Sequence, residues 1–174
     1  RKNMDGILLG YSWWETIENN TLENNRIINN PGEGIFLINT KNTTITHNLL
    51  DSNLDNGNLY LKQSTDAFIS NNRIEGMTTG LTLDTSSNNT IEHNLLNLTP
   101  KGYGFEVANR YGILLKGIST ENIFANTTII TIATRNHGIY LEGTKISNNK
   151  IYNTTIAPGQ QADGIFFSTN AFNN

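Results

Sequence analysis

The chain predicts an all-β fold, a right-handed parallel β-helix solenoid of about seven coils of 22–32 residues, with an asparagine ladder. Three observations predict it. A short strand motif recurs along all 174 residues, a second motif follows it in near-constant registry, and asparagine occupies 29 positions. Self-similarity at a period of this length marks a repeat architecture, in which each coil buries its apolar face only by stacking on its neighbours.

The first motif reads Gly, apolar, any, apolar. It appears as Gly6-Ile7-Leu8-Leu9, Gly34-Ile35-Phe36-Leu37, Asn58-Leu59-Tyr60-Leu61, Gly80-Leu81-Thr82-Leu83, Gly112-Ile113-Leu114-Leu115, Gly138-Ile139-Tyr140-Leu141 and Gly164-Ile165-Phe166-Phe167. Alternation with period two is the signature of a strand with one buried face. The second motif reads Ile, two residues, Asn, one residue, then usually Ile or Leu. Its members are Ile17/Asn20/Leu22, Ile45/Asn48/Leu50, Ile69/Asn72/Ile74, Ile91/Asn94/Leu96, Ile123/Asn126 and Ile146/Asn149/Ile151. The isoleucine falls eleven residues after the glycine position in five of the six coils; the coil opening at Gly138 is three shorter. In the first coil Leu22/Asn25/Ile27 fits equally well, so its register stays open. The asparagine sits at a bend, where it tolerates left-handed backbone, and stacked amides would hydrogen-bond from coil to coil.

Composition narrows the function classes. With no cysteine there are no disulfides and no thiolate metal sites. A net charge of −3 without a basic stripe argues against nucleic acid. No apolar run approaches a membrane span. The chain opens at Arg1, and residues 164–174 start a coil without closing it, so the 174 residues read as one β-helix domain cut from a longer protein. Six Asn-x-Ser/Thr sequons occur, at Asn19, Asn42, Asn88, Asn97, Asn126 and Asn153, with Asn126 expected inside the ladder.

The Gly-Ile-x-Leu and Ile-x-Asn-Asn-x-Ile pattern, intact in Ile69-Ser70-Asn71-Asn72-Arg73-Ile74, resembles the pectate-lyase-like superfamily. It is especially similar to the repeat domains of carbohydrate-binding proteins and sugar hydrolases, and of archaeal surface and disaggregatase-type proteins. The resemblance covers nearly the whole chain and implies an extracellular or cell-surface protein whose partner is a polysaccharide or surface glycan. These motifs describe the core and do not choose a chemistry.

The register assigns side chains to the outer face of the first strand stack. Two residues after each glycine position come Leu8, Phe36, Tyr60, Thr82, Leu114, Tyr140 and Phe166, four of them aromatic. Such rings suit the apolar faces of sugars, or pack on one another as an aromatic ladder. Two positions further on, Lys62, Asp84, Lys116 and Glu142 alternate in sign. They read as acid, base, calcium ligand or uronate-neutralising lysine, or as ion pairs down a stack. The longest coil inserts a loop, residues 97–111, with Tyr103, Arg110 and Tyr111 beside Arg135 of the next coil. Tyr103-Gly104-Phe105-Glu106 resembles a motif of alginate epimerases without their catalytic acid and histidine. His47 and His93 precede bend asparagines; His137, at the groove edge, is the histidine placed for chemistry.

The expectation is therefore a secreted or surface module that binds or processes polysaccharide. Substrate contacts fall to Tyr60, Tyr103, Arg110, Tyr111, Arg135 and Tyr140. The catalytic candidates are His137, Glu142, Asp84 and Lys116, and no dedicated metal site is expected, calcium being the one ion considered. The alternatives are a polysaccharide lyase, glycoside hydrolase or epimerase, and a structural spacer, adhesin or viral fibre segment, oligomeric or packed on neighbouring domains.

Overall fold

A computed structural model describes residues 5–12, 14–54, 57–76, 78–99, 110–132 and 136–168. Its strands stack in parallel into three long sheets of seven, six and six strands, and no helix occurs among the described residues. This makes six complete turns and the opening strand of a seventh. The first sheet holds Ile7–Leu9, Ile35–Ile38, Leu59–Lys62, Leu81–Asp84, Tyr111–Thr120, His137–Ser147 and Ile165–Phe167. Alternate residues of these strands point inward, and Ile35, Leu37, Leu59, Leu61, Leu83, Ile113, Leu115, Ile139 and Leu141 are buried in one continuous apolar core.

The glycines of the first motif are explained by close approach between coils. A Cβ on Gly112 would lie 2.2 Å from Ile129 and 2.4 Å from the Gly138 carbonyl oxygen, and one on Gly80 would lie 2.7 Å from the Gly112 oxygen. Only hydrogen fits there.

The bends carry several ladders rather than one. Between the second and third sheets, the amides of Asn25, Asn48, Asn72 and Asn94 link at 2.9, 3.0 and 3.0 Å. At the entry to the second sheet Asn89, Asn122 and Asn149 link at 2.9 Å each, and after the third sheet Asn30, Asn53 and Asn58 link at 2.8 and 2.9 Å. Within the bends the work is divided between neighbours. The left-handed residue is the one before the ladder position: Asn24, His47, Asn71, His93 and Asn126 have φ of 58, 56, 54, 55 and 47°. The ladder residue then turns its amide inward.

One register that the sequence left open is decided, and two assignments made from sequence change. In the first coil Leu22 pairs with Ile45, so Leu22/Asn25/Ile27 is the motif and Ile17 lies before it. In the fifth coil Phe124, not Ile123, pairs with Ile91 and fills the core, so buried Thr127 takes the ladder place and Asn126 is an exposed left-handed residue. Asn149 is a ladder residue, but of the bend before the second sheet, and Ile146 belongs to the long first-sheet strand His137–Ser147. Burial therefore gives no reason to exclude the Asn126 sequon.

Candidate functional site

The outer face of the first sheet gathers most of the residues singled out from sequence, and in two clusters. The strand register Lys62–Asp84–Lys116–Glu142 is as expected. In the first cluster the Tyr60 ring stacks on Phe36, centroids 4.8 Å apart and 13° from parallel. Its hydroxyl donates to Asp84 Oδ2 at 2.7 Å. Lys116 Nζ lies 3.5 Å from the same carboxylate oxygen and 5.1 Å from the centre of the Tyr60 ring. Asp84 thus accepts the phenol's hydrogen bond and faces the Lys116 cation on the same oxygen. Tyr60 is only 5 % exposed and Thr82, beside it in the row, 0 %. This middle stretch is covered, so Tyr60 offers no open ring face.

The second cluster starts in the coil of Lys116 and runs over the next two strands of the sheet. Tyr111 stacks on Tyr140 at 4.5 Å, and Tyr140 on Phe166 at 5.0 Å and 6°. His137 packs against this pile, 5.6 Å from Tyr140 and 5.1 Å from Phe166. The aromatic ladder weighed from the sequence is what forms here: the rings turn their faces mainly to one another, leaving edges and hydroxyls. Burial is the larger cause holding the Tyr111 and Tyr140 hydroxyls above the ordinary tyrosine range; Tyr140 and Glu142 add to it for Tyr111, and Glu142 for Tyr140. Both phenols therefore stay protonated donors at neutral pH.

His137 Nδ1 accepts the Asp163 backbone N–H at 3.0 Å, which directs Nε2 away from that contact. The Asp163 carboxylate stands 3.5 Å from the same nitrogen and would pair with a protonated imidazole. Asp163 was missed in the sequence reading, yet it had a signal: Tyr111, His137 and Asp163 each immediately precede a first-motif glycine. Arg110 enters through its backbone, its N–H donating to Asn136 Oδ1 at 3.2 Å, and burial lowers its guanidinium from the ordinary value. Tyr103, Arg135 and most of the 97–111 loop lie outside the described residues. At the loop's two ends Asn97 closes a third-sheet strand and Tyr111 opens the next first-sheet strand. His47 and His93 sit at exposed bends, as expected, with His47 3.9 Å from Glu23.

With this geometry in hand, two family models match. Residues 3–111 match the right handed beta helix region, and residues 58–174 match the periplasmic copper-binding protein (NosD) family. Each match spans more than half of the 174 residues. The chain belongs to both families. No significant match is found among curated proteins or solved structures.

The NosD family's name speaks of copper, and the donor set can be tested against it. Copper favours imidazole and soft sulfur ligands. The sequence has no cysteine, and its two methionines, Met4 and Met77, lie outside the described residues. Among the described residues no three His, Asp or Glu side chains converge as a metal site, and Nδ1 of His137 is already engaged. The described residues do not fit a copper centre. The same observation offers calcium no cage of carboxylates. No helix among the described residues is long and apolar enough to cross a membrane.

Proposed function

We propose that this β-helix protein is a non-catalytic module working outside the cytoplasm, which binds polysaccharide along the outer face of its first sheet. One observation carries the reading. The pile of Tyr111, Tyr140 and Phe166 stands with His137 next to the charged row ending in Lys116 and Glu142, so apolar edges and fixed polar groups converge on one face. Sugars present the same mixture of C–H patches and hydroxyls, and phenol hydroxyls with an imidazole suit them as hydrogen-bond partners. The periplasmic name of the family and the resemblance to carbohydrate-active repeat proteins agree with a place outside the cytoplasm. A glycan array followed by calorimetry on the hits tests the reading; an array blank for the wild-type protein rejects it.

A second reading, turnover at Asp84, rests on the carboxylate held between the Tyr60 hydroxyl and Lys116. A lyase would use such groups to move a proton beside a uronate, a hydrolase or epimerase to protonate or deprotonate a sugar carbon or oxygen. Asp84→Asn distinguishes the two readings, since it abolishes turnover under this one and leaves glycan affinity nearly unchanged under the first. Unsaturated product absorbance reports a lyase, new reducing ends a hydrolase, and altered sugar stereochemistry an epimerase.

Copper capture follows the NosD family's name. Metal-stripped protein titrated with Cu(II) is expected to show no site of submicromolar affinity formed by the described residues. A stoichiometric site lost in His137→Ala would overturn that expectation.

A further inference from the structure

The first coil carries an insertion that the polysaccharide reading of the first sheet does not use. Leu9 pairs with Leu37 and Ile17 with Thr40, so eight residues of chain cover what the next coil covers in three. The described residues of this five-residue insertion are held at both ends. Gly10 begins it with φ of 85°, where a Cβ would lie 1.8 Å from the Ile38 carbonyl oxygen. Inside the turn the Glu15 N–H donates to Ser12 Oγ at 3.1 Å. At its exit Asn39, itself left-handed at φ 50°, donates through Nδ2 to the Glu15 carbonyl at 2.8 Å and accepts from the Thr16 hydroxyl at 3.4 Å. This anchored turn displays Tyr11 and Trp14, which are 84 % and 82 % exposed.

Large aromatic side chains normally lose most of their surface on folding, so two of them presented to water by a hydrogen-bonded turn mark a recognition surface. Flanking charge selects the occupant. Glu15 and Glu18 are exposed on the same segment, and the cation in register there, Lys41, lies opposite Glu18. Carboxylates repel anionic lipid headgroups and polyuronates, while a neutral pyranose stacks its C–H face on an indole or phenol ring whose π-face is negative. We infer that Tyr11 and Trp14 form a second binding subsite, for a neutral polysaccharide. The inference rests on the reading of the chain as a polysaccharide binder, and it assigns this turn, apart from the first-sheet cluster, to the uncharged part of the ligand.

The two tryptophans of the chain, Trp13 and Trp14, are adjacent in sequence, so tryptophan emission reports on this segment of the chain. The protein is titrated with neutral hexasaccharides of β-linked glucose, xylose and mannose, with polygalacturonate as the anionic control and phosphatidylglycerol vesicles as the membrane control. A saturable emission change with a neutral hexasaccharide is expected. It persists in Tyr140→Ala, and affinity falls about tenfold in Trp14→Ala and in Tyr11→Ala, whose strand dichroism stays unchanged. Emission flat with every saccharide overturns the inference; if calorimetry still shows binding that Tyr140→Ala weakens, the first-sheet reading survives alone. A response to vesicles only, or to protein concentration without ligand, also overturns it, assigning the turn to a membrane surface or to self-association.

Discussion

At the residue scale the bends depend on pairs of neighbours with different duties. Asn72 donates to the Ile45 carbonyl at 2.8 Å and accepts from the Asn48 N–H at 2.9 Å, while its amide also meets Asn94. Asn72→Ala leaves those buried groups unpaired and is expected to cost about 1–3 kcal/mol. Arg73, next in sequence, points outward and bonds Glu75 on the surface at 2.6 Å, so Arg73→Ala should change stability by about 0.5 kcal/mol or less. Chemical denaturation of the two variants decides this, and equal losses would break the ladder assignment. The sequence revealed the ladder asparagines because they recur three residues after an aliphatic. It hid the left-handed partner, since asparagine, histidine and glutamate all serve at that exposed position. A second residue-scale prediction concerns alkaline pH. Tyr111 and Tyr140 have raised hydroxyl values in the folded chain, so their contribution to stability is complete below about pH 10, where unfolded tyrosine titrates. It is lost as pH climbs through the raised folded values. Melting temperature should fall more steeply above pH 10 in the wild type than in Tyr111→Phe/Tyr140→Phe, and parallel curves would contradict the assignment.

At the scale of the element, the strand motif was legible down to single side chains wherever apolar and polar residues alternate. The first sheet's inward and outward sets match the sequence reading strand for strand. Legibility failed where two apolar residues are adjacent. In Ile123-Phe124 either could face the core, and Thr127 at the ladder place removed the asparagine that would have chosen between them. The fifth coil also runs nine residues from Leu115 to Phe124 where the fourth runs eight from Leu83 to Ile91, which disguises the spacing. The corrected register is testable. Phe124 is fully buried, so Phe124→Ala should cost about 3–5 kcal/mol, whereas Ile123→Ala should cost well under half of that. The reverse order would restore the sequence register. The stacked glycines give a companion test: Gly112→Val forces a side chain against Ile129 and the Gly138 backbone and should destabilise by about 1–3 kcal/mol or more.

For the whole molecule, repetition made the fold readable and kept the function obscure. Each coil repeats the same core and corner residues, so the sequence signals reinforce one another six times over. The outer face does not repeat. Open rings, covered rings and ion pairs follow one another along it, and which is which depends on what lies over each position. Tyr60 and Tyr140 occupy equivalent places in the motif, yet one is buried above an ion pair and the other stands in the Tyr111–Phe166 pile. Sequence could place both on one face and could not separate them. It also passed over Tyr11 and Trp14, because the first coil's second motif was available in two registers and the five-residue insertion lay hidden between them. On the proposed function, the first sheet's outer face binds polysaccharide through the Tyr111–Tyr140–Phe166 cluster. Calorimetric titration of wild type and Tyr140→Ala with the strongest glycan-array ligand tests it most directly. Tyr140→Ala is expected to weaken binding by about 1–2 kcal/mol with the strand dichroism unchanged. Identical affinities for the two proteins would contradict it and leave the aromatic pile as packing alone.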